Sequence, residues 1–140
     1  IEDIVIYDKK VIRVGTLAQY VLDHRIPLEV CLSSNVHTGA AASFAEHPFP
    51  YFYQKGYRVT LNTDNRLITE TTVTDELMVL HEKLGFDFED LAHVLINGVK
   101  SAFLPFHERK RLLVRFTKEL DSIRAIGVVD AAEDDAQNSA

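Results

Sequence analysis

Two short stretches place polar groups where an apolar run ends. "IPLEVCLSSN" (26–35) passes from Leu28, Val30 and Leu32 to Ser33, Ser34 and Asn35. "RVTLNTDNRL" (58–67) alternates Val59 and Leu61 with Arg58, Thr60 and Asn62, and then brings Thr63, Asp64, Asn65 and Arg66 together. Both patterns predict strands that end in groups seeking water. In parallel α/β architectures ligands sit beyond the carboxyl ends of the strands. Two polar clusters there are compatible with a binding site, and equally with two turns in which Asn, Asp and Ser satisfy nearby backbone. Asp64 is the residue with the most chemistry to offer: a carboxylate at such a rim can bind a metal or act as a base.

The rest of the sequence does not complete a metal site around Asp64. Zinc takes three or four protein ligands. The six histidines are His24, His37, His47, His81, His93 and His107, with no His-x-His pair and no His-Glu-x-x-His. His24, His81 and His107 fall on expected helices as solvated or core-edge residues. His93 lies in an apolar helical stretch and is expected to pack between helices. His37 and His47 share a long loop, the kind of segment that can approach a site. Neither Gly-x-Gly-x-x-Gly nor a phosphate-binding Gly-Lys-Ser/Thr occurs. Ser33 and Ser34 lack a Gly-x-Ser-x-Gly elbow. Cys31, the single cysteine, is expected to be an inert core thiol within its strand. The basic run "ERKRLLVR" (108–115) places its charges on the outer face of an amphipathic helix.

The elements that carry these residues follow from periodicity. Residues 1–15 alternate weakly and predict a short strand pair. "TLAQYVLDHR" (16–25) has helical spacing, 26–32 and 57–62 are the two strands, and 33–48 is a long loop of small and polar residues. "FPYFYQKG" (49–56) predicts one or two helical turns stopped by Gly56. After a loop at 63–73 come three helices: one capped by Thr74 and ended by Gly85, one capped by Asp87, and one opened by Pro105. Strands alternating with helices favour a parallel sheet. Two strands are too few for one, since parallel strands need cover on both faces. The missing strands, the initial Ile1 and the single methionine Met78 together predict a piece of something longer.

Composition sets outer limits. The 140 residues are 46% hydrophobic and 26% charged, as in a globular domain. A net charge of −6 argues against general nucleic-acid binding. No apolar run approaches the about 20 residues that span a bilayer, so no membrane partner is expected. A lone cysteine fits a reduced, cytoplasmic setting. From about Val128 the chain turns small and acidic and is expected to be disordered.

Three segments in order carry a resemblance: "IPLEVCLSSNVHTGAAASFAEHP", "YRVTLNTDNRLIT" and "NGVKSAFLPFHERKRLL". Over about residues 16–120 the chain resembles the C-terminal third of adenosine deaminase, in its bacterial form. The Ser-Asn-x-x-Thr-Gly-Ala loop, the Asn-Thr-Asp strand end and Lys-Ser-Ala-Phe-x-Pro agree together. The resemblance implies an α/β fold, the C-terminal part of a (β/α)8 TIM-type barrel. Residues 28–32 would be its seventh strand and 57–62 its eighth, with 1–127 in the barrel and 128–140 a tail. It further implies one zinc ion held by three histidines and one aspartate, the aspartate being Asp64. The family's next aspartate meets the purine N7; here the position is Asn65, whose amide donates without needing to hold a proton. The family's His-x-His, His-Ala-Gly-Glu and Gly-His-Gly segments do not occur in this sequence. The remaining ligands and the acid would belong to a missing N-terminal barrel portion, so the chain alone is expected to be inactive. The implied reaction hydrolyses adenosine or deoxyadenosine to the inosine product and ammonia. An inactive barrel fragment or interaction module, and a deaminase of another amino-purine, are the alternatives.

Overall fold

The computed structural model describes residues 4–7 and 10–137, with side chains described for 13–126. It divides after Asn97 into two compact units, each described by itself.

The first unit opens with β1 (Ile4–Tyr7) and β2 (Lys10–Val14), an antiparallel pair with an irregularity between Val5 and Ile6. This is the strand pair expected within 1–15. Helix α1 (Thr16–Asp23) follows and buries Ala18. Strand β3 (Leu28–Val30) pairs in parallel with β4 (Val59–Leu61), in the register Leu28 to Val59 and Val30 to Leu61. Backbone bonds from Leu28 N–H to Arg58 (2.8 Å) and from Asn62 N–H to Val30 (2.9 Å) extend the ladder at each end. All three residues of β4 are buried, as a parallel strand covered on both faces requires.

The crossover between these strands is more ordered than its composition suggests. Residues 33–48 are expected as loop. Instead Leu32–His37 form helix α2, and Phe44–Glu46 form a single 3-10 turn. Leu32 and Val36 are α2's apolar pair at i and i+4; Leu32 is fully buried and Val36 half-buried. Helix α3 (Phe49–Gln54) then carries Phe49 into the core, edge-on to Phe86. The expected loop at 63–73 likewise contains a one-turn helix α4 (Arg66–Thr69), begun by Asn65 and closed by Glu70 in the left-handed region.

Helix α5 (Val73–Leu84) is capped by Thr72, not by Thr74 as the sequence suggests. The Thr72 hydroxyl accepts from the Asp75 N–H (3.2 Å), and the Asp75 carboxylate accepts from the Thr72 N–H (2.8 Å). This reciprocal box satisfies two groups that a Thr74 cap would leave open. Gly85, at φ 73°, ends α5 in the left-handed conformation that glycine adopts without strain. Helix α6 (Phe88–Ser101) starts with a reciprocal pair between Asp87 and Asp90. Leu32, Phe49, Val59, Leu80 and Val94 form the centre of the core.

In the second unit, Pro105 opens helix α7 (Phe106–Gln137), accepting from the Glu108 and Arg109 N–H groups. The helical backbone runs ten residues into the segment expected to lack order. Ala131, Ala132 and Ala136 have the highest intrinsic helix propensity, and extending an existing helix avoids the cost of a new nucleus. Among the described residues no helix is long and apolar enough to cross a membrane.

Candidate metal and substrate site at the strand ends

The carboxyl ends of β3 and β4 lie side by side because the strands are parallel and in register. Two polar clusters that are 30 residues apart in sequence therefore meet. The Ser34 hydroxyl, beside the Asp64 carboxylate, is the main cause holding that carboxyl below its ordinary range. What little burial Asp64 has works the other way, and the backbone N–H groups of Asn65 and Asp64 add to the lowering. Asp64 is thus an exposed, firmly ionised carboxylate at a strand end.

Asn65 is exposed beside it, and its geometry is specific. Its Oδ1 accepts from the Leu67 N–H at 3.2 Å, capping α4. With the oxygen so engaged, the amide NH2 is left to donate outward. Asn62 turns back instead, donating to the Thr60 hydroxyl at 2.8 Å.

Cys31 sits just past β3 and is half-buried, not within the strand core as expected. Burial pushes its thiol up, and the negative charges of Asp64, Glu76 and Glu29 push it further, so it stays protonated. Strand β3 ends at Val30, two residues earlier than expected, because Cys31 already occupies the N-cap position of α2.

The two loop histidines separate. His37 is exposed at the end of α2. His47 is buried; its Nδ1 accepts from the Phe49 N–H (3.0 Å), and its Nε2 lies 3.0 Å from the Asn35 amide. A neutral imidazole that accepts at Nδ1 carries its proton on Nε2, so the Asn35 oxygen must face it. Burial lowers the His47 pKa, with Glu76 opposing. His93, expected between helices, is exposed; its ring meets Tyr53 edge-on, and its Nδ1 is 3.3 Å from the Tyr53 hydroxyl. That hydroxyl donates to Asp90 at 2.8 Å. The charged faces of α5 and α6 here point outward, which leaves His93 on the solvent side of its helix.

The residue that sequence reasoning overlooked is Glu76. It reads as a favourable acid in the first turn of α5, yet it is 1% exposed. It accepts from the Ser33 N–H (3.2 Å) and the Thr71 hydroxyl (3.1 Å). Its position four before Leu80, on the buried stripe, was the available signal.

Among the described residues no group of three His, Cys, Asp or Glu side chains could hold a metal ion. Asp64 nonetheless fits a zinc ion as one ligand of several: its carboxylate is ionised, exposed and at a strand end. Its partners would have to come from beyond the described residues.

A family model described as adenosine deaminase matches residues 4–119. Adenosine deaminase of Mycobacterium sp. (strain JLS) is 48% identical over 113 residues, covering 81% of this chain and 31% of that protein. Adenosine deaminase 1 of Streptomyces coelicolor is 44% identical over 113 residues, covering 81% and 28%. The crystal structure of adenine deaminase from Arthrobacter aurescens superposes with a TM-score of 0.71 at 28% identity, covering 76% of this chain and 33% of that one. A zinc-bound amidohydrolase from Burkholderia ambifaria reaches a TM-score of 0.68 at 17% identity, covering 78% and 30%, and supports the fold alone. The chain therefore spans about a third of the length of the proteins it matches, and its mixture of helices and strands is consistent with part of a TIM-type barrel. With the strand-end carboxylate and 116 consecutive residues accounted for by one model, the chain belongs to the adenosine deaminase family.

Proposed function

We propose that the full-length protein is a zinc-dependent deaminase that hydrolyses adenosine and deoxyadenosine to inosine or deoxyinosine and ammonia. The observation that carries this reading is the exposed Asp64 carboxylate at the end of β4, set beside Ser34 of the neighbouring strand end by the parallel register. In this reading β3 and β4 are the seventh and eighth barrel strands. Residues 1–127 belong to the barrel, and 128–140 lie outside it.

Asp64 serves as one zinc ligand, with Ser34 fixing the direction of its carboxylate. A bound zinc ion supplies Lewis-acid activation of water at neutral pH. Asp64 holds negative charge beside the place of attack and orients the incoming nucleophile. Asn65 donates its amide N–H to the purine N7, which can only accept. The amide is set for this by its cap: the Leu67 N–H fixes Oδ1 and leaves the NH2 group free to reach substrate. The other zinc ligands and the general acid come from outside the 140 residues, so the chain by itself is inactive. A cytoplasmic location is part of the same reading.

A second reading keeps the chemistry and changes the substrate to a free amino-purine base. The superposition on an adenine deaminase at 28% identity favours it. The nucleoside reading is preferred because relatives named adenosine deaminase are 44–48% identical.

The test is zinc content beside kcat/KM for Asp64→Ala in the full-length protein, with adenosine and adenine as substrates. Zinc loss and collapse of adenosine turnover are expected, because metal geometry and nucleophile position fail together. Full zinc with near-normal turnover would reduce Asp64 to a turn residue. A preference of the unmodified protein for adenine would select the second reading.

A further inference from the structure

Two carboxylates lie near the strand ends, and only Asp64 has so far been given a task. Glu76 is the other. A buried carboxylate is costly unless every oxygen is satisfied, and an apolar residue would fill the same space without that cost. Glu76 is nevertheless 1% exposed. Its Oε2 takes the Ser33 N–H at 3.2 Å, at the start of α2. Its Oε1 takes the Thr71 hydroxyl at 3.1 Å, on the segment returning from α4.

These two anchors bracket Asp64. Ser33 is followed by Ser34, which the parallel register of β3 and β4 sets beside Asp64 and whose hydroxyl faces the Asp64 carboxylate. Thr71 closes the stretch that begins at Asp64 and passes through α4. From α5, one side chain therefore fixes both the donor facing Asp64 and the far end of the segment carrying it. We infer that Glu76 is a positioning residue for the metal site, holding Ser33–Ser34 and Thr71 in the relation that aims the Asp64 carboxylate. The inference rests on the reading of Asp64 as a zinc ligand.

Positioning of this kind requires hydrogen bonds, not charge. A glutamine at 76 reproduces the pattern: its oxygen accepts from the Ser33 N–H, and its NH2 donates to the Thr71 hydroxyl, which can accept. A leucine fills the volume and makes neither bond.

The experiment is zinc affinity by chelator competition on the full-length protein. The variants are Glu76→Gln, Glu76→Leu, Ser34→Ala, Thr71→Val, the Glu76→Leu/Ser34→Ala double, and Asp64→Ala as reference. Glu76→Gln should bind within about threefold of the unmodified protein. Glu76→Leu and Ser34→Ala should each weaken zinc about tenfold, the lower end of what loss of an orienting partner costs. The double should be little worse than either single, because both act through the placement of the Ser34 hydroxyl beside Asp64. Strict additivity, unchanged affinity in Glu76→Leu, or a tenfold loss in Glu76→Gln would overturn the positioning role. If Glu76→Leu does not fold, Thr71→Val decides: several-fold weaker zinc supports the role and unchanged zinc overturns it. Asp64→Ala separates the two levels. If it loses zinc while the Glu76 and Thr71 variants keep it, only this inference fails. If Asp64→Ala keeps zinc, the site reading beneath it fails as well.

Discussion

After β3 the polar residues turn inward, and after β4 they turn outward. Asn35 and His47 on the first side are half-buried and buried, and hydrogen-bonded to one another. Asp64 and Asn65 on the second side are exposed, with one edge tied to backbone and the other open. Both ends are built from the same small vocabulary of Ser, Asn, Thr and Asp. The difference is what each must do: the first end is a platform whose groups are consumed by the fold, and the second presents groups that the fold leaves available. Polar residues consumed by structure should report in stability when removed. Those left available should report in binding and turnover.

The sharpest break of this contrast comes from His47. His47→Ala removes an acceptor from the buried Phe49 N–H and a donor to Asn35, and leaves a void. It should cost about 2–4 kcal/mol in unfolding free energy by chemical denaturation. The same residue predicts an acid sensitivity. Because burial lowers its pKa, the unfolded chain binds the proton more readily than the folded one. Stability contributed by neutral His47 is therefore present above the ordinary histidine pKa near 6.5 and is lost as pH falls below it. The drop in Tm between pH 7.5 and pH 5.5 should be shallower in His47→Ala than in the unmodified protein. A variant as stable as its parent would mean that this end is not a structural platform.

Asn65→Ala belongs to the open end. It should leave zinc bound and lower kcat/KM by about one to two orders of magnitude, equivalent to about 1–3 kcal/mol for an acceptor left without its donor. Asn65→Asp should be milder at low pH and lose activity as pH rises, since the new carboxyl donates only while protonated. A loss of stability in place of a loss of turnover would place Asn65 with the structural set.

Thr72→Ala removes the cap of α5, the helix that carries Glu76, and should cost about 1 kcal/mol. The smallest expected effect is that of Asp64→Ala on Tm, a slight drop at most, because Asp64 is exposed and the fold loses only its contact with Ser34. A large drop there would erase the distinction between the two ends.

The sequence made the open end easy to see and the closed end hard. Val59, Leu61 and the abrupt arrival of Thr63–Asn65 mark β4 and its terminus, and Gly85 and Pro105 mark helix boundaries by backbone geometry alone. Helix α2 escaped because Ser33, Ser34, Asn35 and His37 have poor helix propensity; Leu32 and Val36 are its only apolar residues. Its support is tertiary, from the Glu76 carboxylate 43 residues away. His47 was open to either assignment because nothing in its neighbourhood announces that its partner is Asn35. Glu76 looked like an ordinary acid near a helix start, and its burial depends on the packing of α5 against α2, which no local pattern expresses.

Asn97, which is buried and donates its amide to the Val59 carbonyl at 3.3 Å, is followed by Gly98. Asn-Gly is the dipeptide most prone to spontaneous deamidation, because an unhindered glycine nitrogen can close on the asparagine side chain. Within α6 that nitrogen belongs to the helical ladder and the side chain is held against β4, so ring closure is geometrically blocked. Once the helix frays, the protection goes. The product would be an aspartate that cannot donate to Val59 and would bring a charge into the interior. Chemical ageing of this protein at Asn97 should therefore follow unfolding in time, and mass spectrometry of that site would serve as a clock for how often α6 has opened.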